Sequence, residues 1–320
     1  VSAPYGNLDR FSGFADLYDA HRPSPPARLG SVLTTYAATA RATARATARP
    51  AARPDVVDLG SGTGLSSRWA ATWAGSVVGV EPNPDMRAQA ETRPTAGVRY
   101  VAGTSGDTHL GDRSADVVLA VQAMHWMEPE STLAEVARLL RPGGVFAVLD
   151  ADWPPVTGCA AAEQAWAMVH QRIRVLEARV SRGEVGDELR RPTRADDPAD
   201  RADLAGDDLA DPHRDRAMPS GVRSWSKGAH LDRIRASGRF VFTRELALDQ
   251  TVELPTGETV ADRFVALKRS QGSYQGLRRI GLTDDDIGLT VFERDARAAL
   301  GAARASLSFV WRVRLGVTAP

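Results

Sequence analysis

The residues best suited to do chemistry lie in one short run, Asp58-Leu59-Gly60-Ser61-Gly62-Thr63-Gly64. An apolar, β-branched stretch precedes the run and a helix-like stretch (LSSRWAATW) follows it, which is the setting in which a glycine loop meets a nucleotide. Gly60 and Gly62 let the backbone turn tightly and approach a ligand where a Cβ would collide. Glu81 ends the next apolar run, where a carboxylate can accept both hydroxyls of an adenosine ribose. Asp58, just before the first glycine, would lie unfavourably near a pyrophosphate. It suits a ligand that carries an ammonium and a sulfonium.

A second set of candidates follows the fourth apolar run. His125 has a neutral imidazole that can accept a proton or bind an acceptor oxygen, and it can equally order its loop through the backbone. Gln122 and Trp126 read as pocket walls, with core packing the alternative for Trp126. Near the start, Phe11, Phe14, Tyr18, His21 and Arg22 form an aromatic and basic group before Pro23. Phe11 and Phe14 read as anchors or as contacts to a substrate. Arg22 is placed to take a carboxylate in a bidentate fork, or to form a salt bridge elsewhere. Trp153, Trp225, Ser270 and Tyr274 are candidates for an apolar acceptor pocket, each with a core reading beside it.

These residues need a scaffold, and the pattern from Asp55 supplies one. Short apolar strands (DVVDLG, SVVGVEP, VRYVAG, ADVVLAVQAM, VFAVLD) alternate with helical stretches, which calls for a parallel sheet covered on both faces. The expected organisation is an N-terminal arm and helix over 1–50, a nucleotide-binding half over 51–155, substrate-side helices over 156–238 and a C-terminal part over 239–320. Within the third segment, residues 183–220 are dense in Asp, Arg and Pro and build no core of their own. Helices are expected over about 160–182, 229–237 and 258–269 and near Ala296, with a strand near 240–248. SLSFVWRVRLGV alternates like a last edge strand.

Composition narrows the partners. Forty Lys plus Arg against forty Asp plus Glu cancel, so no net charge favours a polyanion. Arg41, Arg45 and Arg49 recur four apart in an otherwise helical stretch; a solvated face explains them as well as an anion-binding stripe does, and no aromatic platform for RNA stands beside them. A lone Cys159 offers no disulfide and no zinc cluster, and no metal site is expected. The start shows no basic leader with an apolar core, and no run is long enough to span a membrane. A cytoplasmic protein is expected, with a small-molecule partner, no nucleic acid or membrane, and a homodimer open.

Taken as an ordered set, these motifs resemble class I S-adenosylmethionine (SAM)-dependent methyltransferases. The small-molecule group of ubiquinone/menaquinone-biosynthesis and trans-aconitate type is the most similar. VVDLGSGTG is similar to the family's first motif, VVGVEPNPDM to its second, ADVVLAVQAMHWM to its fourth, and LLRPGGVFAVLD to the loop and strand that close the nucleotide-binding half. The resemblance covers residues 8–155 and, more faintly, RSQGSYQGL and the final strand. It implies an α/β Rossmann-like fold, a seven-stranded, mostly parallel sheet with its last strand antiparallel, plus an N-terminal lid and a substrate-side insertion. It also implies SAM as cofactor and S-adenosylhomocysteine (SAH) as product, with Glu81 and Pro82 at the ribose and Met86, Ser105 and Gly106 at the adenine. Tyr18 would sit near the reacting end.

The expected activity is methylation of a small organic metabolite, O-methylation ahead of C- or N-methylation. Competing readings are an NAD-dependent oxidoreductase, and a protein that keeps the SAM pocket as a binding module or a cyclase.

Overall fold

A computed structural model describes residues 13, 15–44, 53–184, 186–190, 216–217, 223–301 and 306–320. Phe11, Phe14, Arg45, Arg49 and most of the charged stretch 183–220 lie outside the described residues, as does the side chain of Arg41.

Along the chain, α1 (Ala15–His21) and α2 (Ala27–Ala44) lead into β1 (Asp55–Leu59), α3 (Leu65–Ala71), β2 (Ser76–Val80), α4 (Pro84–Glu91) and β3 (Val98–Val101). Next come β4 (Ala115–Val121), a 3-10 turn (Met124–Trp126), α5 (Pro129–Leu139), β5 (Leu140–Ala151), α6 (Ala160–Ser181) and α7 (Asp187–Arg190). Two short strands, β6 (Arg216–Ala217) and β7 (Arg223–Ser224), precede α8 (His230–Ala236) and β8 (Phe242–Thr251). The chain ends with α9 (Val260–Arg269), α10 (Gly272–Arg279), α11 (Asp284–Ile287), α12 (Leu289–Gly301) and β9 (Ser308–Val317).

A seven-stranded sheet runs in the order β3-β2-β1-β4-β5-β9-β8. The first five strands are parallel, and β9 pairs antiparallel with β5. Their β-branched residues suit a pleated surface covered on both faces; Val57, for example, faces Val78 on one side and Val118 on the other. After β1 the chain moves outward to β2 and β3, then returns to β4 on the opposite side of β1. That reversal opens a crevice at the carboxyl ends of β1 and β4. Helix starts are fixed beside it by Asn83, which accepts from the Asp85 and Met86 N–H groups ahead of α4, and by Glu128, which accepts from Glu130 and Ser131 ahead of α5. Both helices have proline at the first position, whose missing N–H costs nothing there.

One expectation is corrected. The final strand is not an edge: β9 lies between β5 and β8, and β8 is the edge, with no fully buried position. The alternation of Phe309, Trp311, Val313 and Leu315 with Arg312 and Arg314 imitates an edge, yet Arg314 is itself buried against carboxylates.

The chain divides into two compact units. The sheet unit comprises Ser24–Ala151, Ser224–Leu248 and Trp311–Pro320; the helical unit comprises Val1–Pro23, Asp152–Arg223 and Asp249–Val310. The helical unit has its own aromatic core, with the ring of Trp166 at 4.9 Å from Phe264 and 5.9 Å from Phe292. Capping boxes at Thr259 and Thr283 start α9 and α11. Helices α10 and α11 were not foreseen, because Gly272, Gly276 and Gly281 lower the helix signal of that stretch.

Candidate functional site

The glycine loop leaves β1 and folds over the end of β2, where the Val80 carbonyl accepts from the N–H groups of Gly60 at 2.9 Å and Ser61 at 3.2 Å. Gly60 has φ of 65°, and a Cβ there would meet the Met127 methyl at 2.8 Å. Gly62 differs. Its φ is 55°, and a Cβ would meet nothing within 4 Å. The first position needs glycine for packing, whereas at the second the loop faces open space that a ligand can use.

Two buried carboxylates flank that space. Asp58 has no exposed surface; its Oδ2 accepts from Ser66 Oγ at 2.7 Å and Ser67 Oγ at 2.6 Å, while Oδ1 has no hydrogen-bond partner. Burial pushes its carboxyl up to about 6 against the two serine hydrogen bonds, and the Glu81 charge adds to the rise. Glu81 accepts from Gly62 N–H at 2.9 Å and Asn83 N–H at 2.8 Å, so it ties the loop to the end of β2. Burial raises its carboxyl too, opposed by those two N–H groups and by Arg87. Each Glu81 oxygen keeps a further lone pair for a ligand hydroxyl.

Thr63 and Ser61 are buried within the loop. Gly64, at φ of 82°, caps α3. Pro82 follows Glu81 half-buried, and Met86 is buried in α4. Ser105 and Gly106 form the tip of a tight turn between Thr104 and Asp107, and Ser105 Oγ accepts from Thr132 Oγ1 at 2.9 Å. A Cβ on Gly106 would press on Ser131 Oγ at 3.0 Å.

The end of β4 carries the second polar group. Gln122 takes φ of 53°, a left-handed conformation that costs a non-glycine residue free energy and marks a constrained site. His125 Nδ1 lies 3.9 Å from Asp150 Oδ1 at the end of β5. Its ring packs on Trp126 at 4.7 Å, and its carbonyl accepts from the half-buried Trp225 N–H at 2.9 Å. Lys227 Nζ lies 3.0 Å from Asp150 Oδ1 and donates to Gln122 Oε1 at 2.8 Å. Arg314 donates to Asp150 Oδ2 at 3.1 Å and to Glu245 Oε2 at 2.9 Å. Burial alone would raise the Asp150 carboxyl; Lys227, His125, His230 and Arg314 override it and hold it at about 2. His230 is buried with neither ring nitrogen hydrogen-bonded among the described residues; burial lowers it to about 4, so it is neutral near pH 7 and adds its charge beside Asp150 only in acid.

Asp150, Lys227, His230 and Arg314 did not emerge from sequence reasoning. A signal existed: among the forty Lys and Arg residues only Lys227 and Lys268 are lysines, and Asp150 ends an otherwise apolar strand. Among the described residues no group of three or more His, Cys, Asp or Glu is placed to hold a metal ion. None of the described helices is long and apolar enough to cross a membrane.

The remaining candidates belong to the helical unit. Tyr18 and Trp153 both lie beneath the Arg22 guanidinium, at 5.0 and 4.7 Å from their ring centres. His21 has a buried Nδ1 without a hydrogen bond; burial and Arg263 lower its pKa, with Glu258 opposing. The buried hydroxyl of Tyr274 donates to Asp284 Oδ1 at 2.7 Å, and burial with that carboxylate pushes it up to about 12.

Known proteins similar to this chain include methyltransferases. A family described as a methyltransferase domain matches residues 57–148. An uncharacterized methyltransferase of Mycobacterium tuberculosis is 41% identical over 89 residues, 28% of this chain and 36% of that protein. One from Synechocystis is 32% identical over 129 residues, 36% of this chain and 60% of that protein. These similarities thus span only about a third to three-fifths of the length of the relatives. Among solved structures, a protein of Anaeromyxobacter dehalogenans described as a type II methyltransferase superposes with a TM-score of 0.50 at 22% identity, over 93% of this chain and 99% of that one, a likeness of fold. The glycine loop and the two carboxylates thus lie within the stretch, residues 57–148, that is similar to the methyltransferase-domain family.

Proposed function

We propose that the protein transfers a methyl group from SAM to a small organic acceptor, with oxygen the favoured atom. The observation that carries this reading is the pair of buried carboxylates, Asp58 and Glu81, beside the open Gly62 position, with no donor to Asp58 Oδ1 among the described residues. A ligand that brings an ammonium and a sulfonium neutralises such a site; a pyrophosphate would be repelled by it.

In this reading the Asp58 carboxylate receives the amino-acid ammonium and Glu81 takes the ribose hydroxyls. The Gly60–Gly64 loop, with Ser61 and Thr63, admits close backbone approach. Pro82 stands beside Glu81 at the ribose, and Met86, Ser105 and Gly106 border the adenine. SAM supplies an electrophilic methyl group on sulfur. The protein's task is then to hold the acceptor in line with it. His125 serves as the base: its imidazole takes the proton of an acceptor hydroxyl, and Asp150, 3.9 Å from Nδ1, stabilises the imidazolium that results. Lys227, itself held by Gln122 Oε1, fixes Asp150, and Trp126 and Trp225 form walls. The acceptor class is a cytoplasmic metabolite of the size that ubiquinone/menaquinone-type and trans-aconitate-type enzymes handle, not a nucleic acid or membrane.

The test is turnover. Incubation with SAM and a panel of small hydroxyl, carboxylate and amine acceptors should release SAH with a methylated product, hydroxyl acceptors reacting best. His125→Ala should then lower turnover by about 100-fold or more while SAH affinity holds. Tight SAH binding without product on any member of the panel would refute the reading.

A further inference from the structure

The helical unit contains a second charged cluster that the methyl-transfer reading does not use. Lys268, near the end of α9, is fully buried, with Nζ 4.1 Å over the Trp166 ring and a single hydrogen bond to Gln271 Oε1 at 3.2 Å. Trp166 stacks on Trp153 with centroids 5.8 Å apart and planes 12° from parallel. Arg22 lies over Trp153 at 4.7 Å and over Tyr18 at 5.0 Å. Among the described residues its guanidinium makes one hydrogen bond, a long 3.3 Å contact to the Ser270 carbonyl, and its buried Nε has no partner.

Among the described residues no carboxylate pairs with either cation. Elsewhere in the chain buried arginines follow a different rule: Arg314 meets Asp150 and Glu245, and Arg179 meets Glu184. A fully buried cation with a half-buried one beside it, both against aromatic faces and without a counter-charge, is costly unless something anionic joins them. Each also repels the other, and burial together with Arg22 holds Lys268 well below its ordinary pKa. Aromatic faces hold a cation in place but do not neutralise it. Unfilled donors remain on both side chains, since an ammonium has three N–H bonds and a guanidinium five.

We propose that this cluster binds a small organic anion, whose carboxylate or phosphate group is received by the Lys268 ammonium and the Arg22 guanidinium, with the Gln271 side chain beside them. The proposal concerns the helical unit alone and does not depend on methyl transfer.

The test is calorimetric titration of the full chain in Tris buffer, with benzoate, citrate and inorganic phosphate as anionic probes and benzamide as the uncharged control. SAH is titrated separately, so failure of the SAM reading and failure of this one are told apart. At least one anion should bind and benzamide should not; uptake restricted to phosphate points to a phosphate ester, and uptake restricted to the other two to a carboxylic acid. Affinity should fall by about 10-fold or more in Lys268→Met and in Arg22→Gln. Should Lys268→Met fail to fold, Arg22→Gln, at a half-buried position after a helix end, carries the test. Silence with all three anions, or unchanged affinity in a folded variant, would overturn the proposal.

Discussion

The ammonium of Lys227 lies 3.0 Å from Asp150 Oδ1, which joins the segment ahead of α8 to the end of β5. Asp150 also receives Arg314 and faces His125, so one buried carboxylate balances several cationic groups. Removing it leaves Arg314 buried with less compensation. Asp150→Ala is therefore expected to destabilise the fold by about 3–5 kcal/mol in chemical denaturation. Because the folded carboxyl is held at about 2, below its ordinary value, its contribution is present above the unfolded pKa and is lost as pH falls towards 2. In the variant that acid-dependent loss should shrink.

Asp58 has the opposite sign. Its folded carboxyl is raised to about 6, so the native state holds the proton more tightly, and the ionised form becomes a cost as pH rises through that value. A cationic ligand reverses this cost. SAH affinity should increase from pH 5 to about 7.5, with proton release on binding at the lower end, measured by calorimetry in buffers of different ionisation enthalpy. Asp58→Asn should flatten the profile and weaken binding by about 10-fold or more.

Gly60 and Gly62 separate packing from ligand approach. Both have positive φ, so alanine at either costs about 1–2 kcal/mol of backbone strain. At Gly60 the new methyl also collides with Met127 and Ala123, and thermal unfolding should show a larger loss of stability there. Gly62→Ala should unfold nearer to wild type yet lose more SAH affinity than its stability change explains.

Tyr274→Phe removes the hydroxyl that donates to Asp284. A hydrogen bond to a charged group is worth about 1.5–3 kcal/mol, and that loss should appear in denaturant titration. SAH binding should stay within error of wild type, because the Tyr274 hydroxyl pairs with Asp284 and not with Asp58 or Glu81.

How much of this was legible in the sequence depends on how local each signal is. The parallel strands and the glycine loop are written in contiguous residues, since β-branched runs and alternate glycines carry their own geometry. The second carboxylate, Glu81, could be placed because it ends the neighbouring strand. The Asp150 network could not, because its members come from β5, the segment before α8 and β9, and only pairing of β9 with β5 brings Arg314 to Asp150. The same pairing explains why β9 looked like an edge: its arginines read as solvated, although carboxylates from β5 and β8 bury one of them. Lys268 was hidden for a related reason, as a cation beside a helix end is ordinarily exposed.

The account stands on Asp58 and Glu81 forming a site for a cationic nucleoside. Calorimetric titration of the full chain with SAH and, separately, with NAD measures this most directly. SAH should bind, with affinity reduced in Asp58→Asn, and NAD should give no heat. Uptake of NAD with no signal from SAH would contradict the account.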